Sequence, residues 1–317
     1  MKLFPEFHST EFTTPEERLA ASLKSPLERQ AMITNLLVPY PQFQRVKNNV
    51  ARFHRPVDGG SHGVGWIGGV LGSSRTGKSF ILQSYAAENP PIPTEFGYDF
   101  PVVYLEARAE WDALEFGRQI YHGTGASAIP RMSTAALNTM SANRVKQFNV
   151  QLVVIDDAQF LFSTPGRKQT AFISLIKHLA DQRTCNILLV GTPSIEQAVQ
   201  NDPHLLNRGG FPRFRVREFD RNTPDDRGRF RFFLTEVEKR LPFAEPSNLA
   251  RKEYVEDFLN VSEGSIGKAM NIIIAAGHMA INEGRNCISA QHLRKAAEVR
   301  LIEGVIYVPF AALEAAE

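Results

Sequence analysis

Short apolar runs alternate with longer, mixed stretches through the middle of the chain. Runs at 65–71, 101–106, 151–156, 186–191 and 214–219 have strand length. The stretches between them are long enough for crossover helices. Continuous apolar runs, rather than strict alternation, mark strands covered on both faces. The pattern therefore predicts an α/β fold, a parallel sheet with helices on both faces. Residues 1–60 are polar and helical in signal, and Ser25-Pro26-Leu27-Glu28 reads as a capping box with Pro at the first helical position. A breaker cluster, Asp58-Gly59-Gly60-Ser61-His62-Gly63, sets a boundary. Thr223-Pro224-Asp225-Asp226 opens another helix, strands stop after Pro242 to Pro246, and 249–302 reads as helices with Ser289 as an N-cap. The expected organisation is an N-terminal helical segment (1–60), an α/β core (61–242), a small helical lid (243–303) and a tail (304–317).

The length of 317 residues agrees with roughly two domains. Hydrophobic residues at 43% and charged residues at 22% exclude a disordered or fibrous chain. Two cysteines, Cys185 and Cys287, exclude a disulfide scaffold and fit a reducing cytoplasm. Met1-Lys2-Leu3-Phe4-Pro5-Glu6 lacks the apolar run of a signal peptide, and Ile272 to Ile281 is far short of a membrane span. A soluble cytoplasmic protein, off the membrane, is expected. The net charge of +2 is too small to argue for nucleic acid, so any such case must come from local clustering.

Gly72-Ser73-Ser74-Arg75-Thr76-Gly77-Lys78-Ser79 fits G-x-x-x-x-G-K-[ST] at every fixed position, after a strand run and before a helical run. Glycines let backbone N–H groups curl around phosphate, and the following helix N-terminus adds its positive dipole. Lys78 would reach the β- and γ-phosphates of ATP, and the Ser79 hydroxyl would ligate Mg2+. A plain Gly/Ser turn is the competing reading. It loses ground because Leu152-Val153-Val154-Ile155-Asp156-Asp157 supplies an apolar strand ending in two carboxylates, where ligands sit in open α/β sheets. Asp156 would hold Mg2+ and Asp157 would polarise the attacking water. The strand at Val102 to Glu106 lies in sequence between these two, the mark of the additional-strand class of P-loop ATPases. Thr192, after the run Asn186 to Gly191, can touch the γ-phosphate as a sensor. Thr192-Pro193 equally reads as the cap and first position of a helix.

These residues resemble the AAA+ ATPases and, within them, the transposition regulators of the TniB/TnsC family. The likeness spans roughly 35–300. It rests on Pro41-Gln42-Phe43, the P-loop, Pro101-Val102-Val103-Tyr104-Leu105 and Val154-Ile155-Asp156-Asp157-Ala158-Gln159. Further pieces are Leu189-Val190-Gly191-Thr192, Leu206-Asn207-Arg208 and Glu263-Gly264-Ser265-Ile266-Gly267-Lys268. Departures are Asp157 where Glu is usual and Gly209-Gly210-Phe211-Pro212 after Arg208. The resemblance implies a protein that binds ATP between subunits and assembles as a homo-oligomer, a ring or helical filament, on double-stranded DNA. It further implies recruitment of a DDE transposase and a TniQ-type adaptor, with hydrolysis slow and partner-stimulated. It assigns Arg208 the finger position, with Arg213 as the fallback, and Lys268 a second sensor role in the lid.

From Phe116 to Ile155 there is no Asp or Glu, yet Arg118, Arg131, Arg144 and Lys146 are present. Together with Arg108, just past the second strand, they read as a basic channel lining that would contact phosphates with little sequence readout. The competing reading is a solvated face that lacks acids by chance. Gly123 to Pro130 reads as a pore loop. A second acid-free run, Pro41 to Arg55, fits either DNA or packing beside the adenine. Two other functions stay open: an AAA+ replication initiator or helicase loader, and a nucleotide-switched scaffold with little hydrolysis, which Asp157 suggests. The tail reads as a partner-docking segment or a strap on the lid.

Overall fold

The computed structural model describes residues 4–58, 65–129, 131–162, 166–301 and 306–311. The glycines of the expected breaker, the last residue of the expected pore loop and the end of the tail lie outside these. Along the chain come α1 (Pro15–Ser22), α2 (Pro26–Thr34) and α3 (Pro41–His54). Next are β1 (Ile67–Leu71), α4 (Lys78–Ala87), β2 (Ile92–Thr94), β3 (Gly97–Asp99), β4 (Val102–Glu106), α5 (Ala113–Gly123) and α6 (Thr134–Gln147). Then follow β5 (Leu152–Asp156), α7 (Gln159–Phe162), α8 (Arg167–Asp181), β6 (Asn186–Gly191), α9 (Ser194–Gln200), α10 (Pro203–Leu206) and β7 (Arg213–Arg215). Helices α11 (Pro224–Glu238), α12 (Lys252–Ser262), α13 (Ile266–Asn282) and α14 (Ala290–Glu298) complete the order.

These elements form two compact units. One holds Met1–Phe4, Gln44–Ser74 and Lys78–Val216; the other holds Pro5–Phe43, Arg75–Gly77 and Arg217–Glu317. The first unit is built on a five-stranded sheet in the order β4-β5-β6-β1-β7, parallel throughout. Every residue of β1, β5 and β6 is buried, which a strand achieves only when both faces are covered. The register sets Leu71 beside Gly191 and Ile155 beside Leu189. The carboxyl ends of the three central strands therefore lie level, and the segments that follow them open on one edge. The expected strand at 214–219 is shorter than its apolar run: after Val216 donates to the Leu71 carbonyl, the chain leaves the sheet. The β2–β3 hairpin was not legible, because three exposed residues per strand carry little periodicity.

The second unit is helical. Helix α11, expected in the α/β core, groups with this unit, where Phe230 and Phe233 pack with Tyr40 and Phe219. Pro5–Phe43 belongs here too, so the N-terminal segment is no separate domain. A Cβ at Gly277 of α13 would come within 2.9 Å of Ile33 of α2, so glycine permits the close approach. Both capping signals hold, with Ser25 accepting from the Glu28 N–H and Ser289 from the His292 N–H. The described part of the tail is a strap. Phe310 is buried against Tyr254 and Phe258, and its N–H donates to Asp257 at 2.8 Å. Among the described residues, no helix is long and apolar enough to cross a membrane.

Candidate nucleotide-binding site

The five buried residues of β1 deliver the chain to Gly72, and α4 begins at Lys78. Between them Arg75 (φ 64°) and Gly77 (φ 93°) take left-handed backbone, which curls a loop so that its N–H groups can face one point. The dipole at the N-terminus of α4 adds to that positive field. Lys78 is buried, and its Nζ donates to the Ser73 carbonyl at 2.6 Å. Ser73 and Ser74 are exposed, whereas Thr76 is buried. The carbonyl of Arg75 accepts from Gly267 N–H (2.7 Å) and the Ser265 hydroxyl (2.8 Å) within the helical unit.

Asp156 ends β5 with only 2% of its surface exposed. The Tyr104 hydroxyl donates to its Oδ2 at 2.5 Å and the Asp157 N–H to its Oδ1 at 2.9 Å; the Ser79 hydroxyl bonds it as well. Burial pushes the Asp156 carboxyl above its usual range, against the downward pull of these donors. Burial and the neighbouring carboxylate hold Tyr104 far above the ordinary phenol value, so it remains a donor. A buried carboxylate beside a hydroxyl is a pair of hard oxygen donors, and this pair fits Mg2+.

Asp157 adopts φ 51°, and its Oδ1 accepts from Gln159 Nε2 at 3.1 Å. The other end of that amide, Oε1, accepts from the Thr192 N–H at 3.3 Å. Gln159 thus ties the end of β5 to the end of β6. A Cβ at Gly191 would lie 2.0 Å from Gln159 Oε1, so the bridge needs glycine there. The Thr192 hydroxyl pairs with the Ser194 hydroxyl at 2.7 Å, and Pro193, not Thr192, stands at the cap of α9. Sequence reasoning gave no role to Gln159 or Tyr104. Gln159 stands two positions after Asp157 and could have been found there; Tyr104 reaches the site only through strand register.

Residues 64–221 match the family model described as bacterial TniB protein. The chain carries a TniB-family core. Among solved structures it is similar to Cdc6p from Pyrobaculum aerophilum (TM-score 0.57, 16% identity, covering 94% of this chain and 70% of that one). It is similar also to Aeropyrum pernix ORC2 in ADPNP–ADP complexes (TM-score 0.59, 14% identity, covering 83% and 68%). A third is Aeropyrum pernix ORC1 in complex with DNA (TM-score 0.57, 15% identity, covering 81% and 64%). At these identities the likeness shows the fold alone, a P-loop AAA+ α/β fold. No curated protein matches the chain.

The other expected residues have definite surroundings. Arg208 donates to Asp181 through Nη2 (2.5 Å) and Nε (3.2 Å) and to the His204 carbonyl through Nη1 (2.5 Å). Arg213 pairs with Glu196 at 2.7 Å and lies over the Phe211 ring. Lys268, in the helical unit, pairs with Glu263. Of the expected DNA contacts, Arg108, Arg131 and Lys146 are exposed. Arg118 is exposed but pairs with Glu115 at 3.4 Å, and with Arg108 it lines a groove of about 920 Å³ that also holds Glu106, Glu110 and Asp112. The acid-free segment therefore faces acids from outside its own sequence. Arg144 is engaged within the protein. It donates to the Thr124 hydroxyl (2.5 Å) and carbonyl (2.9 Å), and its guanidinium sits 4.8 and 4.3 Å from the Tyr121 and Phe148 ring centroids. Those bonds commit it to the α5–α6 joint.

Proposed function

We propose that this chain is an ATP- and Mg2+-dependent regulator of transposition that binds DNA with little sequence preference. In this reading it oligomerises on target duplex and recruits a DDE transposase and a TniQ-type adaptor. The supporting observation is the cluster of buried Lys78 and Asp156 with the half-buried Ser79 at the head of the matched segment. Lys78 would bind the β- and γ-phosphates, while Ser79 and Asp156 would hold Mg2+. Bound Mg2+ would neutralise charge developing on the phosphates. Asp157 would orient the attacking water, with its carboxylate steadied by Gln159, and Thr192 would face the γ-phosphate. Arg208 would act in trans on a neighbouring subunit's nucleotide, and Lys268 would close the lid. Arg108, Arg131 and Lys146 would contact duplex phosphates.

The test is fluorescence anisotropy of a labelled random duplex with ATP, a slow analogue, ADP or no nucleotide. Salt-sensitive binding with ATP or the analogue only, lost in Lys78→Ala, is the expected result. Only weak binding that ignores nucleotide, or none, removes DNA as the direct ligand. One observation favours a second reading, a nucleotide-switched scaffold: Asp157 is short and held in left-handed backbone with its carboxylate engaged by Gln159. ATP-dependent assembly with no phosphate release, even with transposase present, selects the scaffold.

A further inference from the structure

Tyr104 belongs to none of the motifs that define the nucleotide site, yet it grips the carboxylate at the centre of that site. It comes from the edge strand β4, where it lies in register with Val154 of β5. Its hydroxyl oxygen accepts from Gln83 Nε2 of α4 at 3.3 Å, which leaves the hydroxyl proton for Asp156 Oδ2 at 2.5 Å. Its ring is braced edge-on by Phe4, with centroids 5.5 Å apart. The Asp157 N–H takes the other oxygen of Asp156 at 2.9 Å. Both carboxylate oxygens are thus anchored, so the group cannot spin about its Cβ–Cγ bond without breaking a charge-assisted hydrogen bond.

We infer that Tyr104 is a positioning residue for Mg2+ at the nucleotide site: its hydroxyl fixes the Asp156 carboxylate beside the Ser79 hydroxyl. The inference rests on the proposed ATP- and Mg2+-binding reading. Its physical basis is general. A carboxylate that must hold a small cation with strict geometry gains from a partner that sets its orientation, and removing such a partner typically lowers metal affinity about 10- to 100-fold. Gln83 extends the chain, because it orients the hydroxyl from the same helix that carries Lys78 and Ser79.

The experiment titrates Mg2+ into the full-length protein with a fluorescent ATP analogue and reads nucleotide affinity at each concentration. Wild type is compared with Tyr104→Phe, which keeps the ring, and with Gln83→Met, which removes the donor to the hydroxyl. The readout is the Mg2+ concentration at half effect, with each variant's Mg2+-free affinity as its own reference. Tyr104→Phe is expected to raise that concentration about tenfold or more, and Gln83→Met to raise it by a smaller factor. A residue that only packed would lower affinity equally with and without Mg2+ and leave the midpoint in place; that result overturns the inference. If Tyr104→Phe does not fold, the Gln83→Met midpoint decides alone: a rise supports the inference, and no change overturns it. A wild type whose nucleotide binding ignores Mg2+ sinks the underlying reading, an outcome visible before any variant is examined.

Discussion

At the scale of single residues, the two adjacent aspartates have different environments and so different expected effects. Asp157 is half-exposed and held by Gln159; in the proposed role of orienting water, it should matter for turnover and little for binding. Asp157→Asn is expected to keep ATP affinity while phosphate release falls by roughly 10²- to 10⁴-fold, measured in a coupled phosphate assay with duplex and transposase present. Asp156 is different because burial raises its pKa, so its ionised form is less favourable in the fold than in water. A carboxyl of this kind contributes stability that is full below its unfolded pKa and lost as pH rises through its raised folded value. In nucleotide-free protein at pH 7, Asp156→Asn should therefore raise the melting temperature in calorimetry while abolishing the Mg2+ dependence of nucleotide binding. A lower melting temperature would mean that the three donors outweigh burial.

At the scale of elements, the strands and the phosphate loop were legible because their signals are contiguous: an apolar run, a Gly-Lys-Ser, an Asp pair. Charge was only half legible. Arg144 looked like a channel cation, since sequence shows the sign of a side chain but not the Tyr121 ring that another helix brings to it beside Phe148 at the end of its own. Arg144→Ala should cost about 1–3 kcal/mol of stability by leaving Thr124 and the joint unsatisfied, read by urea unfolding. Arg131→Ala and Lys146→Ala, both exposed, should leave the unfolding midpoint unchanged and each lower the salt slope of duplex binding by about one. The same limit hid α11. Its apolar residues fit a sheet-covering helix as readily as a lid helix, and only the meeting of Phe233 with Tyr40 and of Phe230 with Phe219 decides between them. Tyr104 reached Asp156 by register, which no single stretch of sequence records.

At the scale of the whole molecule, the chain returns to its own beginning. Residues 5–43 share a unit with 217–317, and α2 packs closely on α13 at Gly277. Deleting residues 1–43 should therefore abolish cooperative melting of the helical unit, followed by near-ultraviolet circular dichroism. A second feature acts before any partner arrives. Arg208, the candidate finger, already has a carboxylate, Asp181, at 2.5 Å. In the proposed finger role a neighbouring nucleotide would have to displace this incumbent, and the pair is exposed enough on the Asp181 side for the exchange to be made in water. Asp181→Asn should lower the protein concentration at which ATP drives assembly, measured by light scattering. If Arg208 serves as the proposed finger, Asp181 would set a detection limit: a terminal phosphate within reach of the guanidinium would have to outcompete the carboxylate, and a diphosphate, one phosphate shorter, would leave the pair intact. Telling a fresh neighbour from a used one would then be a contest between two anions for a single guanidinium, with the losing score fixed inside each chain before two chains meet.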